Sequence, residues 1–215
     1  MTTSTAYAHK SNSPPEQLPG FEHIKRYWDD NLERWVARLM PGEYYISSCG
    51  EAITTVLGSC VACCLRDPAL HIAGMNHFML PETEGVPDWG GGISAATRYG
   101  SHAMEQLINS IVRNGGKRER LEAKLFGGGR VLTSMTDIGR LNIKFAHDYL
   151  DTAGIPILAE DTGGHKGRKV IFLTVNGRVR VRLLATTQSV AEREANYLQA
   201  LIEQPASDNT KESDQ

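Results

Sequence analysis

A chain of 215 residues, 40% hydrophobic and 22% charged, is long enough to bury one globular core and still leave polar ends. Its formal charge of −2 argues against a nucleic-acid binder, whose phosphate contacts demand a basic excess. No apolar run approaches the ~20 residues of a membrane helix. Met1–Pro15, rich in Ser, Thr, Asn and Pro, lacks the apolar middle of a signal peptide, so a cytoplasmic protein without membrane insertion is expected. Three of the four cysteines, Cys60, Cys63 and Cys64, crowd within five residues, with Cys49 apart. That spacing suits reduced thiols better than a disulfide framework.

Residues 1–20 read as a disordered tail, as do residues 204–215. Between them, Phe21, Ile24, Trp28, Leu32, Trp35, Val36 and Leu39 recur at helical spacing, which predicts an amphipathic helical extension over residues 21–40. Pro41-Gly42 ends it, and a single catalytic domain is expected over residues 41–203. Its first strands are expected at Gly42–Ser48, at Ala52–Arg66 with a break at Gly58-Ser59, and at His71–Leu80 after an Asp67-Pro68 turn.

A glycine- and proline-rich loop, Pro81–Gly92, leads to a helix from about Ala95, ended by Asn114-Gly115-Gly116. A strand over Ala123–Phe126 runs into Gly127-Gly128-Gly129. A second helix covers Ile138–Thr152 and is closed by Gly154. Strands follow at Ile155–Glu160 and Lys169–Val175, and Asn176-Gly177 signals a type I′ hairpin. Arg178, Arg180 and Arg182 then alternate with apolar residues, giving a strand with one charged face. The usual meaning of such a stripe is a solvated face; the rarer one is a docking surface. A last helix covers Val190–Ile202. Strands and helices mix without regular βαβ alternation, so the fold class is α+β.

The chemistry centres on Cys60 and His77. If the strands around Asp67-Pro68-Ala69-Leu70 form a hairpin centred between Pro68 and Ala69, then Arg66 opposes His71, Leu65 opposes Ile72 and Cys60 opposes His77. Opposed side chains have Cβ atoms about 4.5–5.5 Å apart, close enough for an imidazole to generate a thiolate. A one-residue slip would separate them to opposite faces. Gly58-Ser59 breaks the strand just before Cys60, where free backbone N–H groups can form an oxyanion hole. The bland alternative is a cysteine that merely packs the core, which suits Cys63 and Cys64 better than Cys60. Cys60 and Cys63 form a C-x-x-C, but positions three apart on a strand face opposite ways, so no metal site and no cofactor is expected. His71, His102, His147 and His165 have no evident partners and read as surface residues.

Several motifs together resemble the chemoreceptor glutamine deamidases, the CheD family. They are Thr55-Val56-Leu57-Gly58-Ser59-Cys60-Val61, Gly74-Met75-Asn76-His77-Phe78-Met79-Leu80-Pro81, Arg98-Tyr99-Gly100 and Ala123-Lys124-Leu125-Phe126-Gly127-Gly128-Gly129. Ile138-Gly139 with Asn142, and Asp161-Thr162-Gly163-Gly164 before Gly167-Arg168-Lys169, complete the set. The resemblance covers about Pro41 to Leu184. It implies a layered α/β sandwich of mainly antiparallel strands flanked by helices, related to bacterial toxin-type cysteine deamidases. It also implies Cys60 as nucleophile, His77 as base and Thr54 as third member, with Thr55 a nearby rival. The implied reaction is hydrolysis of receptor glutamine side chains to glutamate through a thioester, with glutamate methyl esters as a second substrate. The implied partners are the helical cytoplasmic region of chemoreceptors and, in some members, a chemotaxis phosphatase. Two alternatives stay open: an acyltransferase using the same pair with another acceptor, and a non-catalytic chemotaxis adaptor.

Overall fold

A computed structural model describes residues 13–80, 95–132 and 137–203. The Pro81–Gly92 loop and the tail residues 1–12 and 204–215 lie outside them. Among the described residues, ten strands form two five-stranded sheets. The first contains β1 (Lys25–Asp29), β2 (Arg34–Arg38), β4 (Ala52–Leu57), β9 (Arg168–Leu173) and β10 (Arg178–Leu183), in the order β1-β2-β4-β9-β10. The second contains β3 (Tyr44–Ser47), β5 (Val61–Asp67), β6 (Ile72–Asn76), β7 (Glu122–Gly127) and β8 (Ile157–Thr162), in the order β3-β6-β5-β7-β8. Among the described strands, the β2–β4 and β7–β8 pairs are parallel and the rest antiparallel.

The burial pattern explains the layering. Every residue of β6 and all but one of β5 are buried, as a strand covered on both faces must be, whereas β9 alternates buried with half-buried residues. The second sheet is therefore the middle layer. One continuous core joins Ile53, Leu57 and Phe172 of the first sheet to Cys63, Leu65 and Leu125 of the second. Helices α1 (Ala95–Arg113) and α2 (Ile138–Thr152) cover the far side with Met104, Leu107, Ile111, Ala146 and Leu150. This is the layered α+β arrangement expected. A third helix, α3 (Gln188–Glu203), follows β10.

The expected helix over residues 21–40 is instead the β1–β2 hairpin, with Trp28 opposite Trp35 and Asp29 opposite Arg34. Two short strands flanking a turn reproduce apolar spacings of three and four, so periodicity alone could not separate them. The turn chemistry decides: the Asp29 carboxylate accepts from the N–H groups of Asn31 and Leu32, and Glu33 takes φ 50. Residues 13–20 also differ from a free tail. The Pro15 carbonyl accepts from Arg26, and the Gln17 amide donates to the Phe21 carbonyl.

Two turns differ from expectation: the β5–β6 loop is displaced by one residue, and the β9–β10 turn is longer. Asp67 pairs with Ile72 and Arg66 with Ala73, so the β5–β6 loop spans residues 68–71, with His71 at φ 55. Asp67 anchors it by accepting from the Ala69 and Lys117 N–H groups and from the Arg120 guanidinium. The β9–β10 turn likewise pairs Leu173 with Arg178, and of Asn176-Gly177 only Gly177 has positive φ, so it is not type I′. The arginines of β10 are all exposed.

Candidate active site

The β5–β6 turn is centred one residue further along than expected, which moves every cross-strand partner by two, so Cys60 does not lie directly opposite His77. Val61 and Phe78 instead exchange both backbone hydrogen bonds, at 3.0 and 2.9 Å. An even slip preserves the face. The cysteine and histidine thus remain neighbours, diagonally rather than directly across. Cys60 Sγ, a ring nitrogen of His77 and a carboxylate oxygen of Glu194 all lie within 4.8 Å of one another.

Cys60 stands where the chain crosses from one sheet to the other, leaving β4 at Leu57 and entering β5 at Val61. The crossing is held by its carbonyls. Gly129 N–H donates to the Gly58 carbonyl at 2.6 Å, Asn142 Nδ2 to the Ser59 carbonyl at 2.8 Å, and Gly128 N–H to the Cys60 carbonyl at 2.7 Å. With three successive carbonyls tied to one side, the N–H groups of Gly58, Ser59 and Cys60 converge on the other. Such a nest is a built anion-binding concavity. The glycine run after β7 is what permits the approach: a Cβ at Gly127 would stand 2.2 Å from the Cys60 carbonyl oxygen. Asp161-Thr162-Gly163-Gly164 backs the same region, since Arg168 donates to the Asp161 carboxylate and the Gly163 carbonyl, and Gly163 N–H donates to the Gly127 carbonyl.

Thr55, not Thr54, meets the histidine. Thr55 Oγ1 lies 2.7 Å from His77 Nδ1, whereas the Thr54 hydroxyl donates to the Val170 carbonyl at 2.8 Å. Adjacent strand residues point to opposite faces, so only one of the two threonines can reach the seam between the sheets. The expected break at Gly58-Ser59 is where the chain passes between sheets, since β4 and β5 belong to different ones.

This threonine also sets the tautomer. Its hydroxyl proton goes to the Leu39 carbonyl, 3.0 Å away, which can only accept. Thr55 Oγ1 must then accept from Nδ1–H, which leaves the lone pair on Nε2. That nitrogen is buried and has no hydrogen-bond partner among the described residues. Burial, aided by the charge of Arg193, pushes the His77 pKa down to about 3, so the ring is neutral. Burial first, then Glu194, pushes the Cys60 thiol well above its ordinary range.

Glu194 was not foreseen. Its carboxylate, contributed by α3, fills the nest: Oε1 accepts from Gly58 N–H at 2.7 Å and Cys60 N–H at 3.3 Å. Oε2 accepts from Ser59 N–H at 2.6 Å and the Ser59 hydroxyl at 2.8 Å. The readable signal was a glutamate set between Val190 and Leu198 at four-residue spacing, on the face a helix buries. A Cys–His–Glu trio also has the composition of a metal site. Here both oxygens of the carboxylate already accept two donors each, which leaves it no lone pair for a cation.

Among the other expected residues, Asn76 turns away from the pair: its carbonyl accepts from Cys63 N–H and its amide donates to the Ala103 carbonyl. His147, read as unpartnered, lies 2.8 Å from Glu160 on the surface, and His71 lies 3.1 Å from an Arg66 nitrogen. Cys63 and Cys64 are buried within β5 as core residues.

A thiol, a neutral imidazole with a free Nε2 and a triple N–H nest are the parts needed to attack an acyl carbon and hold its oxygen. They define an α+β protein with a cysteine–histidine centre. A family model described as CheD chemotactic sensory transduction matches residues 79–183. A protein of Halorhodospira halophila (strain DSM 244 / SL1), named probable chemoreceptor glutamine deamidase CheD, is 48% identical over 206 residues, 94% of this chain and 95% of its own. A protein of the same name from Hahella chejuensis (strain KCTC 2396) is 44% identical, with 89% and 92% covered. One from Rhodopseudomonas palustris (strain BisA53) is 39% identical, with 95% and 96% covered. The chain belongs to the CheD family. Among solved structures, the hypothetical protein YfiH of Bacillus licheniformis is similar in part, at TM-score 0.35 and 14% identity over 55% of this chain and 49% of that one.

Proposed function

We propose that this protein hydrolyses the side-chain amide of glutamines on the helical cytoplasmic region of chemoreceptors, converting them to glutamate. The observation that carries the reading is the juxtaposition of Cys60 and the His77 ring, whose Nε2 makes no hydrogen bond among the described residues, with the N–H nest at Gly58, Ser59 and Cys60. The names of close relatives supply the substrate class.

Cys60 Sγ gives its proton to His77 Nε2 and attacks the amide carbon, while the amide oxygen enters the nest and takes the developing negative charge. Thr55 keeps the ring in the Nδ1–H tautomer throughout, so Nε2 is the nitrogen that accepts this proton. The imidazolium then protonates the leaving nitrogen, and ammonia departs to leave a thioester. Water, deprotonated by the same Nε2, hydrolyses the thioester and returns the thiol. A glutamate methyl ester reaches the same thioester with methanol as leaving group, so the site also serves as a receptor methylesterase. A chemotaxis phosphatase that competes with receptors for this face belongs to the same reading.

The test is peptide mass spectrometry of a receptor cytoplasmic fragment incubated with the protein. Chosen glutamines gain the ~1 Da of replacing NH2 by OH at the acyl carbon. Cys60→Ala removes the gain while the fold is retained, and His77→Gln lowers its rate at least ~100-fold, the usual worth of a positioned acid–base group. Conversion by Cys60→Ala at the wild-type rate would sink the reading.

A further inference from the structure

Glu194 has no role in that reaction, yet it occupies the centre of the machinery. Helix α3 buries Val190, Glu194 and Leu198, one stripe at four-residue spacing. In a helix that only completes a core, the middle of that stripe would be aliphatic, because an ion taken out of water is stabilised only where it is fully hydrogen-bonded. This carboxylate is fully bonded, and its partners are the N–H groups and hydroxyl of residues 58–60.

Around it, α3 closes the site. Cys60 and Glu194 are both fully buried, and His77 is 1% exposed. Val190 also presses on the nest, since a Cβ added at Gly58 would meet its Cγ1 at 3.0 Å. The Tyr197 hydroxyl bonds that of Tyr99 on α1, and Arg193 donates to the Val56 carbonyl at the end of β4. Beyond these contacts the helix is open: Glu192, Ala195, Asn196, Gln199 and Ala200 are exposed, and Ile202 is 56% exposed.

The product of the proposed reaction is a glutamate side chain carried on a helix. Glu194 is a glutamate side chain carried on a helix, with its carboxylate in the oxygen-binding nest beside the thiol. We propose that α3 is a built-in occupant of the substrate seat, with Glu194 standing in for the product carboxylate. The docked form is the resting enzyme. A partner helix must displace α3, and it fits the vacated seat best when its glutamine or glutamate has apolar residues four positions to either side, as Glu194 has. This inference rests on the functional reading above.

The experiment measures alkylation of the full-length protein by iodoacetamide, mapped by mass spectrometry, with exposed Cys49 as internal reference. It compares wild type with two variants. Glu194→Gln keeps the shape but sets an NH2 against Ser59 N–H. Leu198→Asp weakens docking without touching the nest. Thermal unfolding confirms that both are folded, and deamidation of the receptor fragment is measured alongside.

The expected result is a wild-type Cys60 modified far more slowly than Cys49. In both variants modification is about tenfold faster or more, the factor that losing one charge-assisted hydrogen bond gives, and kcat/KM rises with it. A wild-type Cys60 as reactive as Cys49, or variants no faster than wild type, overturns the inference even if receptor glutamines are converted. Lower turnover in both variants despite an exposed thiol makes α3 part of the working site and also overturns it. Faster alkylation with no conversion by any form supports α3 as the cover and overturns the deamidase reading instead.

Discussion

Replacing Thr55 by Val, and separately Thr54 by Val, tests how His77 is oriented. Each change swaps a hydroxyl for a methyl of nearly equal volume inside the fold. At Thr54 the loss is one hydrogen bond to the Val170 carbonyl, in the sheet and away from the histidine. At Thr55 two bonds go: the one donated to Leu39 and the one accepted from His77 Nδ1–H. A buried donor left without a partner costs about 1–3 kcal/mol. The ring relieves that cost by turning or by moving its proton to Nε2, and either change removes the base from Cys60. If that cost falls on the transition state, kcat/KM drops about 10- to 100-fold for Thr55→Val. Thr54→Val keeps kcat/KM within about threefold, since no group at the reacting centre changes. The assay is initial-rate ammonia release from a receptor fragment, with thermal unfolding measured in parallel to separate lost activity from lost fold. A larger activity loss in Thr54→Val than in Thr55→Val would refute the assignment.

Two further outcomes follow from the scaffold. Gly127→Ala places a Cβ 2.2 Å from the Cys60 carbonyl at a residue with φ +108, so it destabilises the protein by about 3 kcal/mol or more, visible as a Tm roughly 10 °C lower. Asp67→Asn removes the anchor of the β5–β6 loop. Hydrogen bonds from Arg120 hold the Asp67 carboxyl at about 2, below its ordinary 3.8, so its contribution of about 2 kcal/mol is present above pH ~4 and is lost as pH falls toward 2. Urea unfolding against pH therefore shows a gap between wild type and variant at pH 7 that closes in acid; a gap that widens in acid contradicts this.

The elements that were legible share one property, a local chemical signal at each end. Helix α2 begins and ends where Ile138 and Gly154 predict, because Asp137 accepts from Arg140 N–H at its start and Gly154 takes φ +67 after its end. The β1–β2 hairpin was hidden, since its Trp28, Leu32, Trp35 and Val36 satisfy helical and hairpin spacing alike, and only the Asp29-Asp30-Asn31 turn distinguishes them. The Cys60–His77 pairing holds although the turn is centred one residue away from the expected place, because that displacement moves each partner by two and strand faces repeat every two residues. A shift of one would have destroyed it. Thr55 could not be separated from Thr54 by spacing, because the choice depends on which face of β4 meets the seam between the sheets. Glu194 was beyond reach for a different reason: its partners lie about 135 residues away in the chain. Only the presence of a charge on the apolar stripe of α3 hinted at it.

Cys60, the N–H nest and the glycine run form one mechanical unit. Each carbonyl of residues 58–60 is held by a donor from Gly128, Gly129 or Asn142, and those bonds aim the three N–H groups. Residues outside the nest therefore set its geometry. The conformational freedom of glycine matters here chiefly because it admits backbone to backbone.

Whether sulfur at position 60 becomes bonded to the receptor is the most direct question. Acid quenching during turnover, followed by mass spectrometry of the intact protein and its peptides, answers it. The mechanism requires a thioester joining Cys60 to a receptor glutamine position, cleaved by hydroxylamine and missing in Cys60→Ala. Receptor glutamines converted at full rate with no adduct at Cys60, and equally by Cys60→Ala, would contradict it.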